Sequence, residues 1–244
     1  MKILIIFMLA VSLQMFATDK NIENVVNNLS WTSFSADMQL DLKRGKNDTV
    51  IKKMSVKAIS NKKGQKILAM FTFPSNMKGM TFLADCKKDL SDKRYIYLRT
   101  LRRVKKVPAN GDNFMLRDFL SLYLLKPRTE LWNYKLISEK DDTVVVEAIA
   151  KSKKTINMTG YKKLLLTIDK KKNIIIGTEF YGNSGKHRRT QKVLESKKID
   201  DIYFITKMET IDLDEDVKAE IVLTNISTKK ISKKVFTTRY LKSL

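Results

Sequence analysis

The chain has 244 residues, and 48 Lys and Arg against 26 Asp and Glu give it a formal net charge of +22. Cys86 is the only cysteine and His187 the only histidine, which excludes an intramolecular disulfide and a zinc site built from several Cys and His ligands. Three prolines and eight glycines leave no flexible linker, so we predict one domain over residues 18–244.

The first seventeen residues have the layout of a secretory signal peptide. Lys2 is followed by an apolar run over residues 3–13 and by the small residue Ala17, after which the sequence becomes polar. The apolar run is shorter than the about 20 residues that a membrane-spanning helix needs. We therefore predict cleavage after Ala17 and a mature chain that folds outside the cytoplasm, which argues against a nucleic-acid partner.

A short helix and then a series of strands are predicted after the signal peptide. Ile22, Val25, Val26 and Leu29 have helical spacing and form one apolar stripe. From residue 34 the spacing changes to strict alternation, with apolar residues at every second position as far as residue 42. Further strands are predicted near residues 49–60, 66–73 and 79–85.

The stretch RYIYLRTLRRVKKVP, residues 94–108, interleaves basic and aromatic residues, as many nucleic-acid-binding surfaces do. Arg99, Arg102, Arg103 and Lys106 would share one face of a helix, but the same residues also fit two short strands around a turn near Arg99. The neighbouring strands favour the second interpretation. The basic side chains would then lie in solvent or at the rim of a sheet; the candidate basic rim is Arg99, Arg102, Arg103, Lys105 and Lys106.

Residues 113–126 interrupt the strand pattern with a helical stripe that ends before Pro127, and seven more strand candidates follow up to residue 227. The prediction is a mainly β (α+β) protein with about ten or eleven antiparallel strands, an N-terminal helix and one helix near the middle. Strands at this spacing are typical of a sandwich or a barrel.

The sequence carries no catalytic pattern that we recognise. His187 lies between basic residues at a predicted turn, where a surface role is more common than catalysis, and no nucleotide-binding motif is present. Asp212, Asp214, Glu215 and Asp216 could bind calcium, but they lack EF-hand spacing and a solvated hairpin turn is the better interpretation. We predict no enzyme activity, cofactor or metal, and we expect Cys86 to be a small buried or half-buried residue at a strand end.

Large and flexible apolar residues crowd the predicted strands. An ordinary core would use them equally well, but methionine also suits the binding of variable apolar ligands. If the sheet curls around a helix, one face could enclose acyl chains. The candidate cavity residues are Phe34, Met38, Leu40, Met54, Val56, Phe71, Phe73, Met80, Phe82, Tyr97, Phe114, Met115 and Phe119.

The order of several motifs resembles the LolA-like family of outer-membrane lipoprotein-sorting proteins. FTFPSNMKGMTFL, residues 71–83, is similar to the family's strand–Pro–turn–Gly–strand stretch. Tyr97 and Leu98, paired basic residues, and then Asn113, Phe114, Met115, Asp118 and Phe119 follow in the family's order, and KKVFTTRYL (233–241) resembles its closing element. Arg99 stands in place of the family's usual Pro, and Leu116 in place of its usual Gly.

The resemblance implies a half-open antiparallel barrel with a helical lid and a periplasmic, non-catalytic carrier of acyl chains. Its partners would be lipoprotein or lipid cargo, an inner-membrane transporter and an outer-membrane acceptor, with an anionic membrane surface nearby. A lipid-export accessory of a membrane transporter and a polyanion-binding envelope protein remain alternatives.

Overall fold

The computed structural model describes residues 31–108 and 128–244, and these ranges form one antiparallel sheet of thirteen strands. The predicted signal peptide, N-terminal helix and mid-chain helix lie outside the described residues. The strands are β1 (Ser33–Arg44), β2 (Val50–Asn61), β3 (Gly64–Phe73), β4 (Thr81–Lys87), β5 (Lys93–Leu98), β6 (Arg103–Val107), β7 (Trp132–Glu139), β8 (Thr143–Ala150), β9 (Lys163–Asp169), β10 (Ile174–Tyr181), β11 (His187–Ile199), β12 (Ile202–Asp212) and β13 (Val217–Ser227).

The sheet is continuous but unclosed. Its order is β6-β5-β4-β3-β2-β1-β13-β12-β11-β10-β9-β8-β7, so β6 and β7 are its edge strands and β1 pairs with β13. The mainly β, half-open architecture expected from the sequence is confirmed, whereas the count of ten or eleven strands was too low. The two strands beyond that count are β5 and β6, which were predicted around a turn near Arg99 but were left out of the total.

One face of this sheet is buried along most of its width, and we call it the inner face. In β1 every second residue from Phe34 to Leu40 is buried, while the residues between them are partly or fully exposed. Side chains alternate across a strand, so antiparallel neighbours in register extend this apolar face over β1–β4, β12 and β13. This buried set is the larger inner-face cluster.

A smaller inner-face cluster lies on β7–β10 and includes Trp132, Tyr134, Val146, Leu166 and Phe180. Register connects the two clusters through a polar row: Leu166 pairs with Thr178, Thr178 with Gln191, Gln191 with Thr210, and Thr210 with Ala219. This row is therefore apolar at both ends and polar in the middle, at Thr178, Gln191 and Thr210.

The opposite side of β2–β5 is covered by the C-terminal segment. Phe236 and Leu241 are fully buried there, against a cluster that includes Leu68, Leu83 and Tyr97. Helix α2 (Thr238–Lys242) begins after Thr237, whose hydroxyl accepts a hydrogen bond from the Tyr240 amide, a normal N-cap arrangement. Residues 236–241, FTTRYL, therefore pack against the outer face of the sheet.

A buried ion pair draws together parts of the chain that are far apart in strand order. Arg128, just before edge strand β7, donates from Nη1 to Asp92 Oδ2 at 2.5 Å, in the β4–β5 connection, and from Nη2 to the carbonyl of Lys87, the last residue of β4. Leu90 of the same connection packs on the smaller inner-face cluster. The sheet therefore curls until its β7 end meets the β4–β5 connection, and side chains rather than a strand ladder hold this closure.

One further helix was not predicted from the sequence. Helix α1 (Lys153–Thr159) joins β8 to β9, with Ser152 as its N-cap and Gly160 in the left-handed conformation at its end. The capping residues were present in the sequence, but seven residues are too few to show a helical period. Within the described ranges, no helix has the length and apolar character needed to cross a membrane.

Candidate functional site

The inner face gathers most of the predicted cavity residues. Seven of them belong to the larger inner-face cluster, and Met80 packs against it while partly exposed; the seven are Phe34, Met38, Leu40, Met54, Val56, Phe71 and Phe82. Phe114, Met115 and Phe119 lie outside the described residues. The apolar residues that the sequence analysis selected from four strands therefore form one contiguous surface.

Two predicted cavity residues lie elsewhere. Tyr97 is buried, but it points to the opposite side of the sheet, where it packs in the cluster of Phe236 and Leu241. Its partner in β4, Thr81, precedes the inner-facing Phe82, so alternation places Tyr97 outside and Ile96 inside. Phe73 is 45% exposed because β3 ends at this residue and the chain turns at Pro74.

The sequence analysis missed the contribution of the last two strands. Phe204, Met208, Ile221 and Leu223 complete the larger cluster, because β13 pairs with β1 and β12 pairs with β13. The rings of Phe34 and Phe204 meet edge to face with centroids 5.6 Å apart, although their strands are separated by β13. Each of these strands shows alternation in the sequence, but nothing in a single sequence indicates which strands become neighbours.

The polar row on the inner face contains buried groups that stabilise one another. The Gln191 amide nitrogen lies 2.9 Å from Met208 Sδ, and Arg189 Nη2 donates to Asp212 Oδ2 at 2.6 Å. The guanidinium of Arg189 also lies 6.0 Å from the centre of the Tyr161 ring. Thr210 Oγ1 is buried, and no hydrogen-bond partner for it is found in the described part of the chain.

Lys52 brings a cationic group to the border of this apolar face. It pairs with Leu40 across β1 and β2 and alternates with the buried Met54, so it points to the inner side. Burial lowers the pKa of its ammonium group below the ordinary lysine value. A charged group at this depth gives the inner face an amphipathic border.

The predicted basic rim lies on the hairpin of β5 and β6, at one edge of the sheet. The two strands are joined by a single 3₁₀ turn, Arg99–Leu101, and by Arg102 in the left-handed conformation with φ of 46°. All five predicted rim residues are exposed: Arg99, Arg102, Arg103, Lys105 and Lys106. The interpretation as two strands around a turn near Arg99 is confirmed, and a continuous basic helix is wrong.

The single histidine and the acidic run have structural roles at neighbouring strand ends: His187 begins β11, and the run starts at the last residue of β12. His187 is partly buried, stacks on Tyr181, and has Nε2 2.9 Å from the Arg189 carbonyl oxygen. The pKa of Asp214 is lowered by its hydrogen bonds from Arg188 and Lys186.

Asp212 is not solvated as the hairpin interpretation implied, because it is the buried partner of Arg189 and accepts the amides of residues 214 and 215. Over residues 31–108 and 128–244, no cluster of three or more His, Cys, Asp or Glu is placed to hold a metal ion.

Cys86 is buried in the larger inner-face cluster, as the sequence predicts. Burial, followed by the nearby carboxylate of Asp92, raises the pKa of its thiol to about 12. A thiol with this pKa is almost wholly protonated at neutral pH, so Cys86 is a packing residue rather than a nucleophile.

Comparison with known proteins agrees with the fold. A family model described as "Uncharacterized protein" matches residues 63–243, and no curated protein matches in sequence. The chain is 22% identical to an outer membrane lipoprotein-sorting protein domain from Vibrio parahaemolyticus, with a TM-score of 0.80 over 91% of this chain and 96% of the other.

Two further solved structures share this topology. A DUF1329 family protein from Desulfovibrio piger is 16% identical, with a TM-score of 0.77 over 91% of this chain and 98% of the other. A LolA superfamily protein from Nitrosomonas europaea is 15% identical, with a TM-score of 0.69 over 92% and 99%. At these identities the likeness establishes the fold, so the chain has the LolA-like fold. We conclude that it belongs to the family whose model matches residues 63–243.

Proposed function

We propose that the protein is a periplasmic carrier that holds the acyl chains of lipoproteins, or of other lipids, against the inner face and passes them from the inner to the outer membrane. The observation that carries the proposal is the larger inner-face cluster, an apolar surface shared by six strands of an unclosed sheet. The LolA-like fold and the signal-like first seventeen residues support it.

The chemistry of such a carrier is non-covalent. Burial of an acyl chain contributes about 0.8 kcal/mol per CH₂ group, and the same free energy must be returned when the cargo leaves. Met38, Met54 and Met208 have unbranched, adaptable side chains that can repack around cargo and again without it. We assign no catalytic residue to this face.

Cargo binding is tested on protein exported with its own N-terminal segment and purified without detergent. Native mass spectrometry should detect bound lipid or acylated peptide, and the delipidated protein should take up a fluorescent fatty-acid probe. The nature of the bound species separates lipoprotein transfer from the alternative of lipid export beside a membrane transporter. The proposal fails if the folded protein carries no acyl species and takes up no probe.

A matched pair of variants locates the binding face. Ala69 lies on the inner face between Val56 and Phe82, whereas Ser55 lies on the other side of β2. Ala69→Phe should weaken probe binding by about tenfold or more, because its ring occupies inner-face volume. Ser55→Phe should leave binding unchanged.

Ala58→Leu is the milder inner-face change if Ala69→Phe does not fold, as judged by circular dichroism. Equal binding by folded inner-face and Ser55 variants would place the acyl chains elsewhere.

A further inference from the structure

Two neighbouring turns form one exposed surface at the end of β3–β6. The first turn, residues 74–80, joins β3 to β4, and the second, residues 99–102, joins β5 to β6. Because β4 pairs with both β3 and β5, these turns are adjacent. Gly79 has φ of 84°, and a Cβ built on it would lie 2.6 Å from Arg99 Cδ, so the arginine stem crosses the first turn. We call residues 73–80 and 99–103 the double-turn surface.

The double-turn surface exposes large apolar side chains. Leu101 is 57% exposed at the tip of the second turn, and Phe73 is 45% exposed at the start of the first. A single exposed apolar residue is ordinary on a protein surface. Here two of them lie on adjacent turns, and Leu101 is flanked in sequence by Arg99, Arg102 and Arg103.

The charge of this surface is of one sign. Residues 93–108 contain seven Lys and Arg and no Asp or Glu, and residues 71–84 contain Lys78 and no acidic residue. Within the described ranges, no carboxylate forms an ion pair with Lys78, Arg99, Arg102 or Arg103. By contrast, three basic residues at or near other strand ends are paired: Arg44 with Glu215, Arg188 with Asp214, and Lys171 with Asp142.

We propose that the double-turn surface docks the protein on an anionic lipid bilayer. Lys78, Arg99, Arg102 and Arg103 would face lipid phosphates, which arginine binds through its planar set of donors. Leu101 and Phe73 would enter the boundary between headgroups and acyl chains, where exposed apolar side chains gain burial. The basic side chains match the phosphate layer of a bilayer, and the projecting apolar side chains match the acyl layer beneath it. A soluble polyanion offers no apolar layer.

The inference does not depend on acyl-chain binding by the inner face. Docking is measured with intact vesicles and with protein that carries no cargo, so it can hold where the carrier proposal fails. Cargo binding is measured without vesicles, so the two results are independent.

The test is flotation of the purified protein with vesicles of phosphatidylcholine, with and without phosphatidylglycerol. We expect binding only to the anionic vesicles, and a decrease in binding as salt rises. Each basic residue near such a surface is worth about fivefold in partitioning, so Arg99→Glu with Arg102→Glu should lower binding by about twentyfold or more. Leu101→Ser should lower it several-fold while the salt dependence is unchanged, and Leu101→Phe should restore it.

The control has the same change in net charge at another turn. Lys62 and Lys63 are exposed in the β2–β3 turn, at the other end of those strands, and Lys62→Glu with Lys63→Glu should retain most of the binding. Equal losses in both double variants would overturn the proposal, because they would show attraction by total charge alone. Vesicle binding that does not change when Leu101 is replaced would also overturn it. Equally strong binding to heparin would do the same, in favour of a soluble polyanion. Absence of vesicle binding would leave the surface to a protein partner and refute docking on lipid.

Discussion

Replacement of Asp92 by Asn tests whether the Arg128–Asp92 ion pair holds the curled sheet together. The Arg128 side chain is 8% exposed and that of Asp92 is 1% exposed, so water screens this pair poorly. The substitution keeps an oxygen that can accept the Lys87 amide, as Asp92 Oδ1 does at 3.0 Å. It removes the charge and replaces the oxygen that faces Arg128 by an amide nitrogen, which cannot accept a hydrogen bond.

Loss of one partner from a buried pair costs about 3–5 kcal/mol of unfolding free energy. Glu130 remains as a second partner, with its Oε1 3.2 Å from Arg128 Nε, and should offset part of this loss. We therefore expect the lower end of the range, about 3 kcal/mol, for Asp92→Asn. In the variant Arg128 stays buried, so the cost of removing its charge from water remains. The attraction to its main carboxylate, which offset that cost, is lost.

Urea unfolding followed by tryptophan fluorescence measures this difference, because Trp132 is buried four residues from Arg128. The control is Asp142→Asn, which breaks the Lys171–Asp142 pair, whose side chains are 75% and 56% exposed. That change should cost about 0–1 kcal/mol.

A double-mutant cycle with Arg128→Met should show that the two losses are not additive. If Asp92→Asn costs no more than the control, or if the losses add, the pair does not hold the closure.

Four further outcomes follow from particular contacts. Gly64 has φ of 145° and its Cβ would lie 2.1 Å from the Cys86 carbonyl oxygen, so Gly64→Ala should lower the urea midpoint by more than Ala substitution at an exposed turn position such as Lys62. Phe236→Ala should cost about 3–5 kcal/mol in the same assay, because it empties a fully buried site under the sheet; a loss below 1 kcal/mol would contradict the packing. Thr210→Val should be neutral or stabilising in thermal unfolding, since the buried Oγ1 has no hydrogen-bond partner among the described residues; a clear loss would reveal one. The Cys86 thiol should resist a disulfide reagent at pH 8 until urea unfolds the chain; since its folded pKa is raised to about 12, its contribution to stability is present below the unfolded value and is lost between about pH 9 and 12, a decline that Cys86→Ala should reduce.

The predicted cavity residues show what strand alternation alone can and cannot assign. A period of two assigns a residue to one of two faces within a strand, and it correctly grouped Phe34, Met38 and Met54. It failed for Tyr97, because the face of β5 is fixed by its register with β4, and the four consecutive apolar residues 95–98 show no alternation that would reveal that face. Phe73 failed for another reason, since it is the last residue of its strand.

The sequence by itself determined the local properties of this protein: its basic charge, the alternation that makes strands, the turns that separate them, and an order of motifs that resembles the LolA-like family. Each of these properties depends on residues that are close together in the sequence, so it can be recognised from a single sequence. Only the tertiary structure decided that β13 pairs with β1, that Arg128 contacts Asp92, and that the turns carrying Phe73 and Leu101 are adjacent. Those contacts join residues distant in sequence, and their pairing depends on the register and curl of the whole sheet, which no local pattern encodes.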